Sequence, residues 1–178
     1  MKIYTRKGDD GTTGLLYGGR VRKDDPAPAA YGDVDEAQSS IGVARAHAPK
    51  GGELDQLLVA IERDLWVLMA DLATGAEHRS KLTPEVSLVT QGMVDQLEST
   101  IDDYTARTEM PSEFVVPGEE RVAAFLDVAR TVVRRAERSA LAAVADDSLV
   151  VAYLNRLSDL LWTLARWQEG TSLTARTD

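Results

Sequence analysis

The stretch LDQLLVAIERDLWVLMADLATG, residues 54–75, decides the fold. Leu54, Leu57, Leu58, Ile61, Leu65, Leu68 and Leu72 recur three and four apart, the spacing that puts side chains on one face of an α-helix. Gly75 is a plausible stop. Working outward, Val34, Ala37, Ile41 and Ala44 form a shorter stripe upstream. Downstream, Val86, Val89, Met93, Leu97, Ile101 and Tyr104 form another, with Thr83 and Pro84 as its expected cap and first helical residue. A fourth runs Val122, Phe125, Leu126, Ala129, Val132, Val133, Ala136 and Ala140 after the breaker Pro117-Gly118. The fifth runs Val150, Tyr153, Leu157, Leu160, Leu161 and Leu164, closed by Gly170. Strand-like alternation is weak, so the expectation is all-α: one antiparallel helical bundle in a single domain over 1–178. Residues 1–30 are a leader, 31–170 the helices, and 171–178 a frayed tail.

Composition narrows the chemistry. The chain has 178 residues and is 44% hydrophobic, enough for one sizeable core. Its net charge of −9 speaks against nonspecific binding to nucleic acid or anionic membranes, but not against a local basic site. Without cysteine there are no disulfides, zinc–cysteine sites, iron–sulfur clusters or thiol catalysis. The two histidines, His47 and His78, sit in no Glu-x-x-His pair, so a di-iron bundle, a zinc protease and a serine triad lack support. No signal peptide or apolar run of about 20 residues is visible, which predicts a cytoplasmic protein.

The leader YTRKGDDGTTGLLYGG, residues 4–19, is too rich in glycine for a stable helix or strand. Gly8, Gly11 and Gly14 recur every third residue among Thr5, Arg6, Lys7, Thr12 and Thr13, and Arg20, Arg22 and Lys23 follow. Glycines let a backbone approach an anion closely, while amides, hydroxyls and cations supply its partners. That pattern fits a phosphate cradle; a turn-rich leader of no further role has the same composition. It is not a Walker A loop, since no Gly-Lys-Ser/Thr ends it. In ARTVVRRAER, residues 129–138, Arg130, Arg134, Glu137 and Arg138 share one row beside the apolar stripe, and Arg135 is expected to point into solvent. The row suits a phosphate or carboxylate partner or, equally, a salt-bridged surface. In YLNRLSDLLW and beyond, Asn155, Asp159, Trp162 and Arg166 form a second polar row, readable as capping or surface groups.

Together these stretches resemble the PduO-type ATP:cob(I)alamin adenosyltransferases. The resemblance is carried, in order, by YTRKGDDGTTGLLYGG with RVRKDD, then YGDVDEAQSSIG, LESTID, FVVPGEERVAAFLDVARTVVRRAER and YLNRLSDLLWTLAR. It implies a five-helix bundle assembled as a homotrimer with active sites between subunits. There the 5′-deoxyadenosyl group of ATP moves to the cobalt of reduced cobalamin, with Mg²⁺ on the departing triphosphate. Residue by residue it implies that Thr5, Arg6, Lys7, Gly8, Thr13, Gly14 and Lys23 hold ATP from one subunit. Arg134, Glu137, Arg138 and Asn155 would hold it from the neighbour. Asp35 would pair across the interface with Arg130, and Phe114 would occupy the lower face of the corrin and exclude the axial base. It assigns no metal ligands. Cobalt in the +1 state is itself the nucleophile, so the scarcity of histidine and cysteine fits.

Four positions depart from the family pattern: Ala37-Gln38 for Leu-Asn, Lys7 for threonine, and Glu119 for the second glycine of Pro-Gly-Gly. The other function consistent with the same bundle is a nucleotide-binding sensor or an adenosylcobalamin delivery chaperone, with an adenosylcobalamin-dependent mutase as the partner to which product would be handed; a third is a purely structural oligomer. An isolated phenylalanine such as Phe114 also reads as a core plug.

Overall fold

The structure, a computed structural model, describes residues 3–176. The outer ends of the expected leader and tail, residues 1–2 and 177–178, lie outside the described residues. It is mainly helical, with one small sheet. The elements are β1 (Thr12–Gly14), β2 (Arg20–Arg22), α1 (Pro26–His47), α2 (Glu53–Leu72), a 3₁₀ helix (Ala76–Lys81), α3 (Gln91–Ala106), α4 (Arg121–Ala140) and α5 (Val150–Glu169).

The apolar stripes become the core. Leu58, Ile61, Leu65 and Leu68 of α2 and Leu154, Leu157, Leu160, Leu161 and Leu164 of α5 are buried, each side chain contributing on the order of 1.5–3 kcal/mol. α4 lies between α1 and α5, α2 packs on α1, and α3 packs on α5. The faces of α1 and α4 are rich in small residues: Ala30, Ala37 and Ala44 on one, Ala129, Ala136 and Ala140 on the other, all buried. Small side chains let helix backbones approach closely, so this seam is a firm platform for whatever its flanks carry.

Helix ends follow their capping chemistry. Pro26 and Pro28 open α1, where a missing N–H costs nothing. Thr90 caps α3 by accepting from Met93 N at 3.3 Å, and Glu120 caps α4 by accepting from Ala123 N at 2.8 Å. Gly170, at φ 74°, ends α5.

Four expectations are corrected. Thr83-Pro84 does not start α3: the Thr83 carbonyl accepts from Val86, Ser87 and Leu88 amides in a tight turn, and Val86 stays exposed. The helix begins seven residues later because Thr90 offers the better cap. The leader does form strands, β1 and β2, paired antiparallel with Thr13 opposite Val21. Tyr17, Gly18 and Gly19, at φ 66°, 114° and 87°, turn the chain tightly enough for two three-residue strands to meet. Such a short, largely exposed pair needs no apolar alternation, so the pattern was silent. Arg135 does not point into solvent alone: it pairs with Asp33 and Glu36, tying α4 to α1. The segment after Gly170 is not frayed over its described part, because it pairs with the loop before α4.

Candidate functional site

The leader gathers its polar groups around Gly8. A β-carbon at Gly8 would fall 3.1 Å from the Lys23 side chain and 3.1 Å from the Thr12 carbonyl oxygen, so a larger residue there would have to push the lysine or the turn aside by a few tenths of an ångström. Lys23 N donates to the Gly11 carbonyl at 2.9 Å, which fixes the lysine beside the turn. Arg20 reaches back over the hairpin, its Nη2 donating to the Lys7 carbonyl at 2.7 Å and to Thr12 Oγ1 at 2.5 Å. Thr12 Oγ1 in turn donates to Asp10 at 2.8 Å, and these bonds hold the Asp10 carboxyl below its ordinary pKa. Arg6 sits at φ 60° with its guanidinium 5.5 Å from the Tyr4 ring centre. Lys7 N donates weakly to Thr5 Oγ1, at 3.4 Å. Thr13 and Gly14 lie in β1. Among the described residues the ammonium groups of Lys7 and Lys23 have no carboxylate within ion-pair distance. In a chain of net charge −9, these two cations are left without a paired carboxylate.

The polar rows of α4 and α5 form a second cluster. Asn155 Nδ2 donates to Glu137 Oε1 at 3.0 Å, and Arg138 Nη1 donates to the Arg134 carbonyl at 2.9 Å. Asn155 Oδ1 accepts from Arg156 at 2.7 Å. Asp159 lies in the same groove; burial pushes its pKa up and Glu137 adds to the shift, while Arg156 and Arg134 oppose it. No hydrogen bond or ion pair joins this cluster to the leader among the described residues. The leader leans the other way: Leu16 N donates to the Ala73 carbonyl at 2.8 Å, at the end of α2.

Phe114 stands 90% exposed on the loop before α4, so it is not a core plug. It borders a cavity of about 720 Å³ whose walls include Pro117, Asp127, Arg130, Trp162 and Arg166. Arg130 Nε donates to Asp127 Oδ1 at 3.2 Å on its own helix. Asp35 is exposed on α1 and makes no ion pair among the described residues, so a single chain does not bring Asp35 and Arg130 together.

The cavity wall also holds a buried ion pair: Asp127, which the sequence patterns do not single out, and Arg166, which is no capping or surface group. Arg166, only 1% exposed, donates Nη2 to Asp127 Oδ2 at 2.6 Å and brings Nε to 3.0 Å from Glu169 Oε2. A signal was present: Asp127 lies between Leu126 and Ala129 in the α4 stripe, and Arg166 follows Leu164 and Ala165 in α5. Opposite charges each set in a buried stripe are expected to find each other.

The sequence profile of the cobalamin adenosyltransferases matches residues 3–168. The chain belongs to the cobalamin adenosyltransferase family. It is similar to the corrinoid adenosyltransferase of Mycobacterium tuberculosis, 43% identical over 98% of this chain and 96% of that protein. The Bacillus subtilis corrinoid adenosyltransferase is 40% identical over 93% of this chain and 86% of its own. Among solved structures, a variant of the PduO-type ATP:corrinoid adenosyltransferase from Lactobacillus reuteri, complexed with cobalamin and ATP, superposes with a TM-score of 0.87. It is 31% identical and covers 99% of this chain and 100% of that one. A second variant of that protein, complexed with ATP, gives 0.84 at 32% identity over 98% and 100%. As a cobalamin adenosyltransferase the chain is an enzyme of ATP-dependent adenosyl transfer to a corrinoid. No helix among the described residues is long and apolar enough to cross a membrane.

Proposed function

We propose that the adenosyltransferase works as a cytoplasmic homotrimer of five-helix bundles, each chain a single domain over 1–178, with its sites between subunits. Supporting this is the separation of the two polar clusters within one chain. The leader of one subunit would meet the Arg134–Glu137–Arg138–Asn155 cluster of the next, and Asp35 would find Arg130 of a neighbour. The observation that carries the ATP reading is the tight turn at Gly8 with the Lys23 side chain against it, Lys7 and Lys23 both making no ion pair among the described residues. Thr5, Arg6, Thr13 and Gly14 surround that turn and would donate to the triphosphate.

The reaction asks little proton chemistry of the protein. The cobalt electron pair attacks C5′ of ATP; the cobalt–carbon bond forms as the C5′–O bond breaks, and that bonding pair leaves on the triphosphate oxygen. Catalysis is therefore positioning plus stabilisation of charge on the departing triphosphate by the lysines and arginines. No group of three His, Asp or Glu able to hold a metal exists among the described residues. Mg²⁺ would reach the site bound to the triphosphate and would share the charge of the departing group with the lysines and arginines. Phe114, exposed at the rim of the 720 Å³ cavity, would lie under the corrin and exclude the axial base. Product adenosylcobalamin would pass to a mutase that uses it.

An anaerobic assay with ATP and chemically reduced cobalamin tests this reading. The expected result is the spectral change to adenosylcobalamin with release of triphosphate. ATP binding without cobalt–carbon bond formation would instead point to a sensor or delivery chaperone and overturn the proposal.

A further inference from the structure

The loop that carries Phe114 is held by the C-terminal segment. Val116 N donates to the Leu173 carbonyl at 2.8 Å, and Ala175 N donates to the Phe114 carbonyl at 2.7 Å. Val115 and Thr174 face each other in this antiparallel bridge. Among the described residues these are the only hydrogen bonds that residues 109–118 make. Without them, ten residues between α3 and α4 would lack any backbone restraint, and ordering such a stretch is entropically expensive. Phe114 itself is exposed, so packing of its ring does not fix the loop either.

The segment is anchored at its own base. Gly170, at φ 74°, reverses the chain at the end of α5. Ser172 Oγ then donates to Glu169 Oε2 at 2.8 Å, and that same oxygen lies 3.0 Å from Arg166 Nε. Arg166 holds Asp127, and Asp127 holds Arg130. A continuous run of contacts thus leads from Arg130 through the buried pair to the C-terminal segment and on to the Phe114 loop. Ala175 and Arg176 complete it by lining the cavity that Phe114 borders.

We propose that residues 172–176 are a positioning element for Phe114. By backbone pairing they set where the ring stands in the cavity, and hence how completely it displaces the axial base of a bound corrinoid. The proposal rests on the reading that Phe114 faces the corrin. Because the hold is made by main-chain groups, the segment needs no particular side chain opposite Phe114, only an N–H at residue 175 and a carbonyl at residue 173.

The test compares Ala175→Pro, which removes the N–H, with Ala175→Gly, which keeps it, beside a chain ending at Thr171 and Phe114→Ala. Each is followed by thermal melting, ATP affinity, and the spectrum and reduction rate of bound cob(II)alamin in the presence of ATP. Ala175→Pro and the shortened chain should melt as the wild type does and bind ATP equally. Their four-coordinate fraction and adenosylation rate from cob(II)alamin should fall roughly two- to tenfold, the scale of one or two net hydrogen bonds. Ala175→Gly, which keeps the N–H but loses the cavity-lining methyl, should lose less of both than Ala175→Pro. A defect in Phe114→Ala with full activity in both Ala175→Pro and the shortened chain would overturn the positioning role alone. Full activity of Phe114→Ala from cob(II)alamin would overturn the reading of Phe114 beneath it.

Discussion

Residues 3–25 are held by contacts that water reaches, chiefly Arg20 on Thr12 and on the Lys7 carbonyl, whereas α4 and α5 are held by buried leucines, alanines and the enclosed Asp127–Arg166 pair. The leader bonds exchange with water at little net cost. The seam bonds cannot, because breaking one leaves a charge in an apolar surround. The difference teaches where stability and function part. A segment that closes on a ligand must be weakly held without it, and the platform that receives it must not move.

The largest effect should come from breaking the seam. Asp127→Ala leaves Arg166 buried with only Glu169 beside it, and should cost about 3–5 kcal/mol in urea unfolding. A cost below about 1 kcal/mol would mean that water already reaches the pair. Next comes the leader. Arg20→Ala removes its bonds to Thr12 and the Lys7 carbonyl, so ATP affinity should fall, by roughly tenfold if about 1.4 kcal/mol of preorganisation is lost. The melting curve should stay where it was, and a lowered melting temperature would blur the division between the two regions.

A smaller effect comes from Asp64, whose Oδ2 accepts from the buried Tyr153 hydroxyl at 2.8 Å. Burial raises the Asp64 pKa above its ordinary 3.8, the tyrosine bond opposes this, and Glu85 adds to it. The folded state therefore holds the proton more tightly than the unfolded one. The stability this gives is present below the unfolded pKa and lost as pH rises through the folded one. Asp64→Asn should stabilise at pH 7 by less than about 1 kcal/mol, since the group is only partly buried and water screens it. Melting followed from pH 7 downward should show that advantage shrink; an advantage that grows in acid contradicts the assignment. Smallest of all is the stability cost of Phe114→Ala, expected within about 0.5 kcal/mol because the ring is exposed. A loss of about 3–5 kcal/mol would return Phe114 to the core.

What the sequence made legible follows the same division. The stripes from Leu54 to Leu72 and from Val122 to Ala140 became α2 and α4 because burial enforces the helical period. The start of α3 was misplaced because Thr83-Pro84 and Thr90 both carry capping chemistry, and only tertiary contacts choose between them. The β1–β2 hairpin and the pairing of residues 173–175 with 114–116 left no trace, since main-chain hydrogen bonds are indifferent to side chains. At the proposed site, composition fits a phosphate cradle and a turn-rich leader alike, and the assignment of Gly8, Lys7 and Lys23 to ATP comes from the family resemblance. The Asp127–Arg166 pair was legible only in part: each charge is set in an apolar stripe, but the partners are 39 residues apart and nothing local joins them.

Calorimetric titration of ATP into a chain lacking residues 1–18, paired with its melting curve, tests the division most directly. The account predicts a cooperative transition at nearly the wild-type temperature, since the leader meets the helices mainly through Leu16 at the end of α2, with ATP binding abolished. Retention of wild-type ATP affinity by that folded chain would contradict it.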